Sequence, residues 1–336
     1  MDIKEQELII KGYSGLRVVV TGGRGFLGRN LVRRLVELGS HVVVVDHSVP
    51  TDVQAISSSL EIARAVDFVR ADIRDQGQMD RVVGQCDVLF SLAGKSGASD
   101  SVHDPFADLD VNCRGHLTLL EAARQRNPRI KIVFPSSRLV YGKIEYLPVG
   151  EDHPTEPTSV YGIHKLTAEK YYLLYNRIYG MQSTVLRLTN PFGPYQNING
   201  RNFGVVNQFM ARSVAGIPIQ IFGDGTQLRD YLYIDDAIRA MLLAGIATAA
   251  AGEVFNVGSG QGISLAEMAE LIAKISGKGK VVHVPWPTEY ANVETGSFVA
   301  DIQKIECVLG WLPETDMEQA LSISLEHYRR AQSPMI

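Results

Sequence analysis

The chain has 336 residues, 45% hydrophobic and 21% charged, enough to bury a sizeable core in one large domain or two unequal ones. A net charge of −4 and a sequence pI near 6.1 exclude the basic footprint of a nucleic-acid or anionic-membrane binder, so an anionic ligand must be held by local groups. Cys86, Cys113 and Cys307 stand far apart without metal-ligand spacing, and no stretch reads as a signal peptide or membrane span, a pattern expected of a soluble cytoplasmic protein with reduced thiols.

Met1 to Gly15 read as a short leader, frayed or packed on a neighbour. From Leu16, short apolar strands alternate with helical patterns. Strands are predicted at Arg17–Thr21, His41–Asp46, Asp67–Ala71, Val88–Ala93, Lys131–Pro135 and Ser183–Leu188, and helices at Phe26–Leu38, Met79–Gly84, Pro105–Arg126 and Ser159–Tyr179. That alternation predicts an α/β doubly wound parallel sheet, whose ligand crevice lies beyond the carboxyl ends of the strands. After Leu188 the chain turns to loops rich in Asn, Gly and Pro, then to isolated strand and helix pieces. One of these opens on the capping box Ser264-Leu-Ala-Glu267, which starts a helix to Ile275. This part reads as a smaller α/β lobe folded over the sheet's carboxyl edge.

The residues with chemical meaning follow the strands. Val18-Val-Val-Thr-Gly-Gly-Arg-Gly-Phe-Leu-Gly28 is strand, tight turn and helix. Its glycines (Gly22, Gly25, Gly28) let a pyrophosphate approach backbone N–H groups at a helix N-terminus, beside Phe26 and Leu27. Asp46 ends the second strand about twenty residues on, where a carboxylate accepts from an adenosine ribose diol. Asp72-Ile73 follow the third strand; Asp72 can accept from an adenine amino group or cap the next helix. Leu92, Ala93 and Gly94 follow the fourth and let backbone pass close to a cofactor ribose. Asn112, mid-helix, reads as structural, holding the site wall.

Past the fifth strand lies Pro135-Ser-Ser-Arg-Leu-Val-Tyr-Gly142, and further on Tyr161-Gly-Ile-His-Lys165. Tyr161 and Lys165 share one helix face. An ammonium near a phenol favours phenolate, and a cationic nicotinamide ring favours it further, making Tyr161 a usable base with Ser137 relaying the proton. His164, His103 and His116 read as helix-surface residues.

With these residues the chain resembles the extended short-chain dehydrogenase/reductases, particularly the nucleotide-sugar epimerases and dehydratases. The resemblance runs from Thr21-Gly-Gly-Arg-Gly-Phe-Leu-Gly28 through Asp46, Ser137, Tyr161, Lys165 and Leu186-Arg-Leu-Thr-Asn-Pro-Phe-Gly-Pro194 to Ile221-Phe-Gly-Asp-Gly-Thr-Gln-Leu-Arg-Asp-Tyr231 and Leu309-Gly-Trp311. It implies a Rossmann-type domain over residues 1–188 and a mainly substrate-binding lobe over 189–336, some of whose segments return to the first. It further implies tightly held NAD, a nucleoside-diphosphate sugar, and oxidation at a sugar carbon by hydride transfer. Asn190 and Arg229 would then touch the sugar diphosphate, and Asn202 to Asn207 would line the base. A basic residue that relatives carry in the segment matching Tyr290 to Glu294 is missing, so Arg229 would act with Arg201, unless Arg201 is solvated.

Departures narrow the reaction. Relatives that eliminate water carry an Asp-Glu pair after the serine or threonine; here Arg138 and Leu139 stand there, and Arg138 serves as neither acid nor base. The Glu of decarboxylating relatives is also missing, and Leu139 stands where 3,5-epimerising relatives carry Cys. Ser137, Tyr161, Lys165 and NAD suit reversible oxidation at C4 of a UDP-sugar, whether glucose/galactose, glucuronate/galacturonate or a deoxyhexose. Thr189, Arg138 and Ser136 can serve a sugar carboxylate. Asp46, followed by His47-Ser48, disfavours the 2′-phosphate of NADP. The alternatives are a 4-keto-sugar reductase and a non-catalytic NAD-sensing module. Leu117, Leu120, Leu166, Tyr171 and Leu174 either pack against a two-fold mate, giving a homodimer, or belong to the core.

Overall fold

The computed structural model describes residues 3–48, 65–196, 204–287 and 294–332. In chain order its strands are β1 (Arg17–Thr21), β2 (His41–Asp46), β3 (Val66–Arg70), β4 (Val88–Ser91), β5 (Lys131–Ser137) and β6 (Gln182–Leu188), followed by β7 (Asn190–Phe192), β8 (Ile219–Phe222), β9 (Leu228–Tyr233), β10 (Val254–Val257), β11 (Gly262–Ser264) and β12 (Val281–Val284). Seven of them form one sheet in the order β10-β6-β5-β4-β1-β2-β3, with parallel pairing throughout. The winding reverses between β1 and β4. Loops leaving those two strands diverge, which opens a crevice at the carboxyl edge.

The valine runs are explained by burial on both faces of this sheet. Val18, Val20, Val42 and Val44 pack under the helices Phe26–Glu37 and Ile234–Ile246. Val19, Val43, Val45 and Leu89 pack under His116–Arg126 and Val160–Tyr179. The Ala-rich stretch from Ala240 lies largely in the buried helix Ile234–Ile246. Among the described residues no helix is long and apolar enough to cross a membrane.

Several elements differ from the sequence reading in extent. Residues Ile3–Tyr13 form a helix docked on the body: Tyr13 is fully buried and donates to the Leu242 carbonyl at 2.9 Å, and Glu5 pairs with Arg239 at 3.0 Å. The helix expected from Met79 starts at Gln76, because Asp75 caps it by accepting from the Gln78 N–H. β4 stops at Ser91, two residues early, and β5 continues to Ser137, two residues late. The helix expected over Pro105–Arg126 carries a π-helical turn at Asp110–Gly115. The Ser264–Glu267 capping box is present and starts Leu265–Ser276.

Beyond Leu188, β10 joins the large sheet beside β6, while β7, β9 and β11 form a small sheet and β8 pairs with β12. A buried ion pair ties the helix Val160–Tyr179 to β6. Arg187 donates to both Glu169 oxygens at 2.9–3.2 Å, and neither side chain is more than 5% exposed. Replacing Glu169 by Ala strands a guanidinium in the core, so E169A should lose about 3–5 kcal/mol in urea unfolding.

Candidate active site

Loops from the carboxyl ends of β1 to β6 line a cleft of about 1300 Å³. At its floor the turn after β1 runs against the turn after β4. Gly22 has φ +69°, and a Cβ there would lie 2.7 Å from the Ala93 Cα; a Cβ on Gly28 would lie 2.5 Å from the Gly22 carbonyl oxygen. The helix Phe26–Glu37 starts with Gly25 as its N-cap, and Arg29 is the first to donate back to Gly25. The N–H groups of Phe26, Leu27 and Gly28 therefore lack intrahelical acceptors and can receive phosphate oxygens.

The remaining sequence-predicted cofactor residues gather here as well. Asp46, Asp72, Ile73, Leu92, Ala93 and Gly94 all line the cleft. Asp46 accepts from the Arg24 and Ser48 N–H groups and the Ser48 hydroxyl. Asp72 pairs with Arg74 at 2.6 Å and does not cap the next helix. Asn112 brackets Lys95, accepting from its N–H at 3.1 Å and donating to its carbonyl at 3.0 Å, and so holds the wall after Gly94 as read from the sequence.

At the other end of the cleft stand Ser137, Tyr161 and Lys165. Ser137 ends β5, accepts from the Leu139 N–H at 3.2 Å and hydrogen-bonds the Tyr161 phenol. Lys165 donates to the Pro135 carbonyl at 2.6 Å and lies 4.1 Å from the centre of the Phe134 ring. β4 pairs with β5 only as far as Val133, so Pro135 lies beyond the shared ladder.

The substrate residues divide. Ser136, Arg138, Thr189 and Asn190 line the cleft. Arg138 donates to Thr295 at 2.9 Å; desolvation and the neighbouring Arg229 charge lower its pKa to about 10, which leaves it cationic at neutral pH. Thr189 and Asn190 are turned toward the buried Asp230, the first donating to its carboxylate at 3.3 Å and the second to its carbonyl at 2.9 Å. Two expectations are corrected. Asn207 is fully buried, its carbonyl taken by Gly193 N–H and the Tyr328 hydroxyl, and it does not line the cleft. Arg229 is likewise outside the lining, held by Glu294 at 2.5 Å and by the Leu228 and Gly296 carbonyls. Arg201 and the segment Tyr290–Val293 lie outside the described residues.

Two histidines also differ from expectation. His116 is fully buried, its Nδ1 3.0 Å from the Tyr172 hydroxyl and 3.1 Å from Ser91. His164, 12% exposed, lies 2.6 Å from the buried Asp108 carboxylate. Sequence reasoning passed over Arg24, Ser48 and Lys95, which line the cleft. Arg24 sits inside the glycine motif and Ser48 two residues past Asp46, so position relative to the motifs was the available signal.

The NAD dependent epimerase/dehydratase family profile matches residues 18–258. The chain belongs to that family. NAD is its cofactor, and the free N–H groups of Phe26, Leu27 and Gly28 at the glycine turn fit the pyrophosphate of a dinucleotide. A putative UDP-glucose 4-epimerase of Methanocaldococcus jannaschii is 34% identical over 90% of this chain and 95% of its own length. Among solved structures, a UDP-glucose 4-epimerase of Thermotoga maritima with UDP-glucose has a TM-score of 0.86 at 33% identity, covering 95% of this chain and all of that one. A UDP-glucose 4-epimerase of Thermus thermophilus in complex with NAD has a TM-score of 0.83 at 30% identity, over 94% of this chain and all of that one.

In this family member the protein groups alone do not make Tyr161 a ready base. Desolvation, with the Asp108 charge, pushes the phenol up to about 12 against the lowering Ser137 hydrogen bond. Desolvation pushes Lys165 down to about 7, against the Glu169 and Asp108 charges. The expected lowering of Tyr161 by Lys165 is not found, because Lys165, with its own pKa at about 7, has lost its charge before the phenol ionises.

Two outcomes follow from this geometry. Gly22→Ala should abolish NAD retention through strained φ and collision with Ala93, read as cofactor released on denaturation. The folded Lys165 releases its proton near pH 7 and the unfolded one near 10.5, so the unfolded state binds more protons between those values. The penalty of burying the ammonium is complete below about pH 7, and stability rises with pH through that window. Urea unfolding of Lys165→Met should lack that rise when compared with the wild type.

Proposed function

We propose that this enzyme inverts C4 of a nucleotide sugar through a transient 4-keto sugar, with UDP-glucose/UDP-galactose or UDP-glucuronate/UDP-galacturonate as the pair. The observation that carries the reading is the hydrogen-bonded Ser137–Tyr161 pair at the end of β5, with Arg138 and Leu139 as its next residues in the cleft. Arg138 stays cationic and Leu139 carries no proton, so neither assists loss of water.

In this reading Tyr161 takes the proton of the sugar 4-hydroxyl while Ser137 holds the same oxygen in line. NAD, when bound, would supply a reversible hydride acceptor, so that no external reductant is consumed, and its positive ring would also favour the phenolate. Lys165 is fixed on the Pro135 carbonyl one helical turn along from Tyr161. Between the two transfers the keto sugar turns about its diphosphate linkage, so that C4 presents its opposite face, and Tyr161 returns the proton to the 4-oxygen. Gly22, Gly25, Phe26 and Leu27 hold the pyrophosphate, and Asp46 holds the adenosine ribose. Arg138 and Asn190 face the sugar. Arg229 reaches the diphosphate only by leaving Glu294.

A homodimer belongs to the same reading. Val102, Phe106, Leu109 and Ile163 are exposed on adjoining helices, whereas Leu120 is core.

Purified protein incubated with UDP-glucose and, separately, UDP-glucuronate without added reductant should yield the 4-epimer of one of them by NMR. Tyr161→Phe should lower that rate by about 10²–10⁴-fold. Consumption of a 4-keto sugar with NADPH, and no epimer from either UDP-sugar, would make the protein a reductase instead.

A further inference from the structure

The buried arginines Arg187, Arg229 and Arg239 are each bound to a carboxylate: Glu169, Glu294, and Glu5 with Asp236. Arg138 breaks this pattern. It is half-buried in the cleft wall and, among the described residues, pairs with no acid. Its Nη1 donates to the Thr295 hydroxyl at 2.9 Å, and its Nε lies 3.5 Å from the Asn190 amide oxygen. Its guanidinium carbon sits 5.4 Å from the centre of the Phe298 ring. All three partners are neutral. Nη2 has no partner among the described residues and is not sealed from water as the Arg17 and Arg24 Nε atoms are, so its N–H groups open to the cleft.

The two aspartate and glutamate charges that act on Arg138 are engaged elsewhere. Glu294 lies 2.5 Å from Arg229 and accepts from the Gly296 N–H, while Asp230 accepts from Ser259, Gly260 and Ala300. The Arg229 charge adds repulsion. A guanidinium withdrawn from water beside another cation, and given no counter-charge, is costly to hold empty and favours an anion that reaches it.

We infer that Arg138 selects a sugar carrying a carboxylate on C5, so that the preferred substrate is a nucleotide hexuronate. The inference rests on the reading of the cleft as a nucleotide-sugar site with Ser137 on the 4-oxygen. Arg138 is the residue after Ser137, and on a pyranose C5 is the carbon beside C4. The diphosphate leaves from C1, at the far end of the ring. A planar carboxylate takes parallel N–H bonds from a guanidinium, whereas the hydroxymethyl group of a hexose leaves the charge without compensation.

The test reads binding and needs no turnover. NAD-loaded protein carrying Tyr161→Phe, which slows conversion, is titrated calorimetrically with UDP-glucuronate, UDP-glucose and UDP. UDP-glucuronate should bind at least about tenfold more tightly than UDP-glucose. Adding Arg138→Met, which keeps an apolar chain across Phe298 but no charge, should bring that ratio close to one. The accompanying loss for UDP should be much the smaller.

Equal affinities for the two sugars in the parent, or a preference that survives Arg138→Met, would overturn the inference. An equal loss for UDP and UDP-glucuronate would overturn it too, because Arg138 would then serve the diphosphate. If Arg138→Met does not retain NAD, Arg138→Gln takes its place and the same ratio decides. The outcome is separable from the epimerase reading. A carboxylate preference lost with Arg138 stands even if neither sugar yields a 4-epimer, and UDP-glucose epimerised without any such preference sinks this inference alone.

Discussion

An ammonium and a phenol enclosed at the end of a parallel strand form the constraint on which this site depends. Removing Lys165 from water disfavours its charge, and removing Tyr161 from water disfavours ionisation. The phenol is not a ready base near neutrality without compensation. The compensation is distributed: a strand carbonyl and an aromatic face for the ammonium, and a serine hydroxyl for the phenol. NAD, when bound, would add the positive charge of its ring.

Those positions hold only if strand ends and helix stay in register. Glu169, one turn past Lys165, anchors the helix to β6 through Arg187. Asp230 performs a similar task at the substrate end, where Thr189, Ser259, Gly260 and Ala300 all donate to its carboxylate. Buried, multiply bonded carboxylates of this kind restrain the loops bearing the reacting groups, although such loops are usually the least restrained parts of a protein.

The sheet was readable because parallel strands buried on both faces show as unbroken β-branched runs, and Gly22 to Gly28 mark the turn between a strand and a helix. The residues of the site were readable where chemistry and local spacing coincide, as at Ser137, Tyr161 and Lys165. They were misread where a distant partner decides. Arg229 looked free until Glu294 was placed beside it, 65 positions on. Asn207 resembled a polar cleft residue but turns inward to Gly193 and Tyr328. His116 and His164 have helical neighbours that suggest a solvated face, yet each meets a polar group from another element.

By itself the sequence determined the strand-and-helix alternation, the glycine cradle and the Tyr161–Lys165 helix face, because each is local and governed by backbone sterics or helical period. It also ruled out an acid–base pair after Ser137, which is a matter of residue identity. Tertiary structure decided which polar side chains reach the cleft and which are consumed inside. A hydrogen bond between residues far apart in the chain depends on the packing of whole elements, and no short-range pattern carries that information.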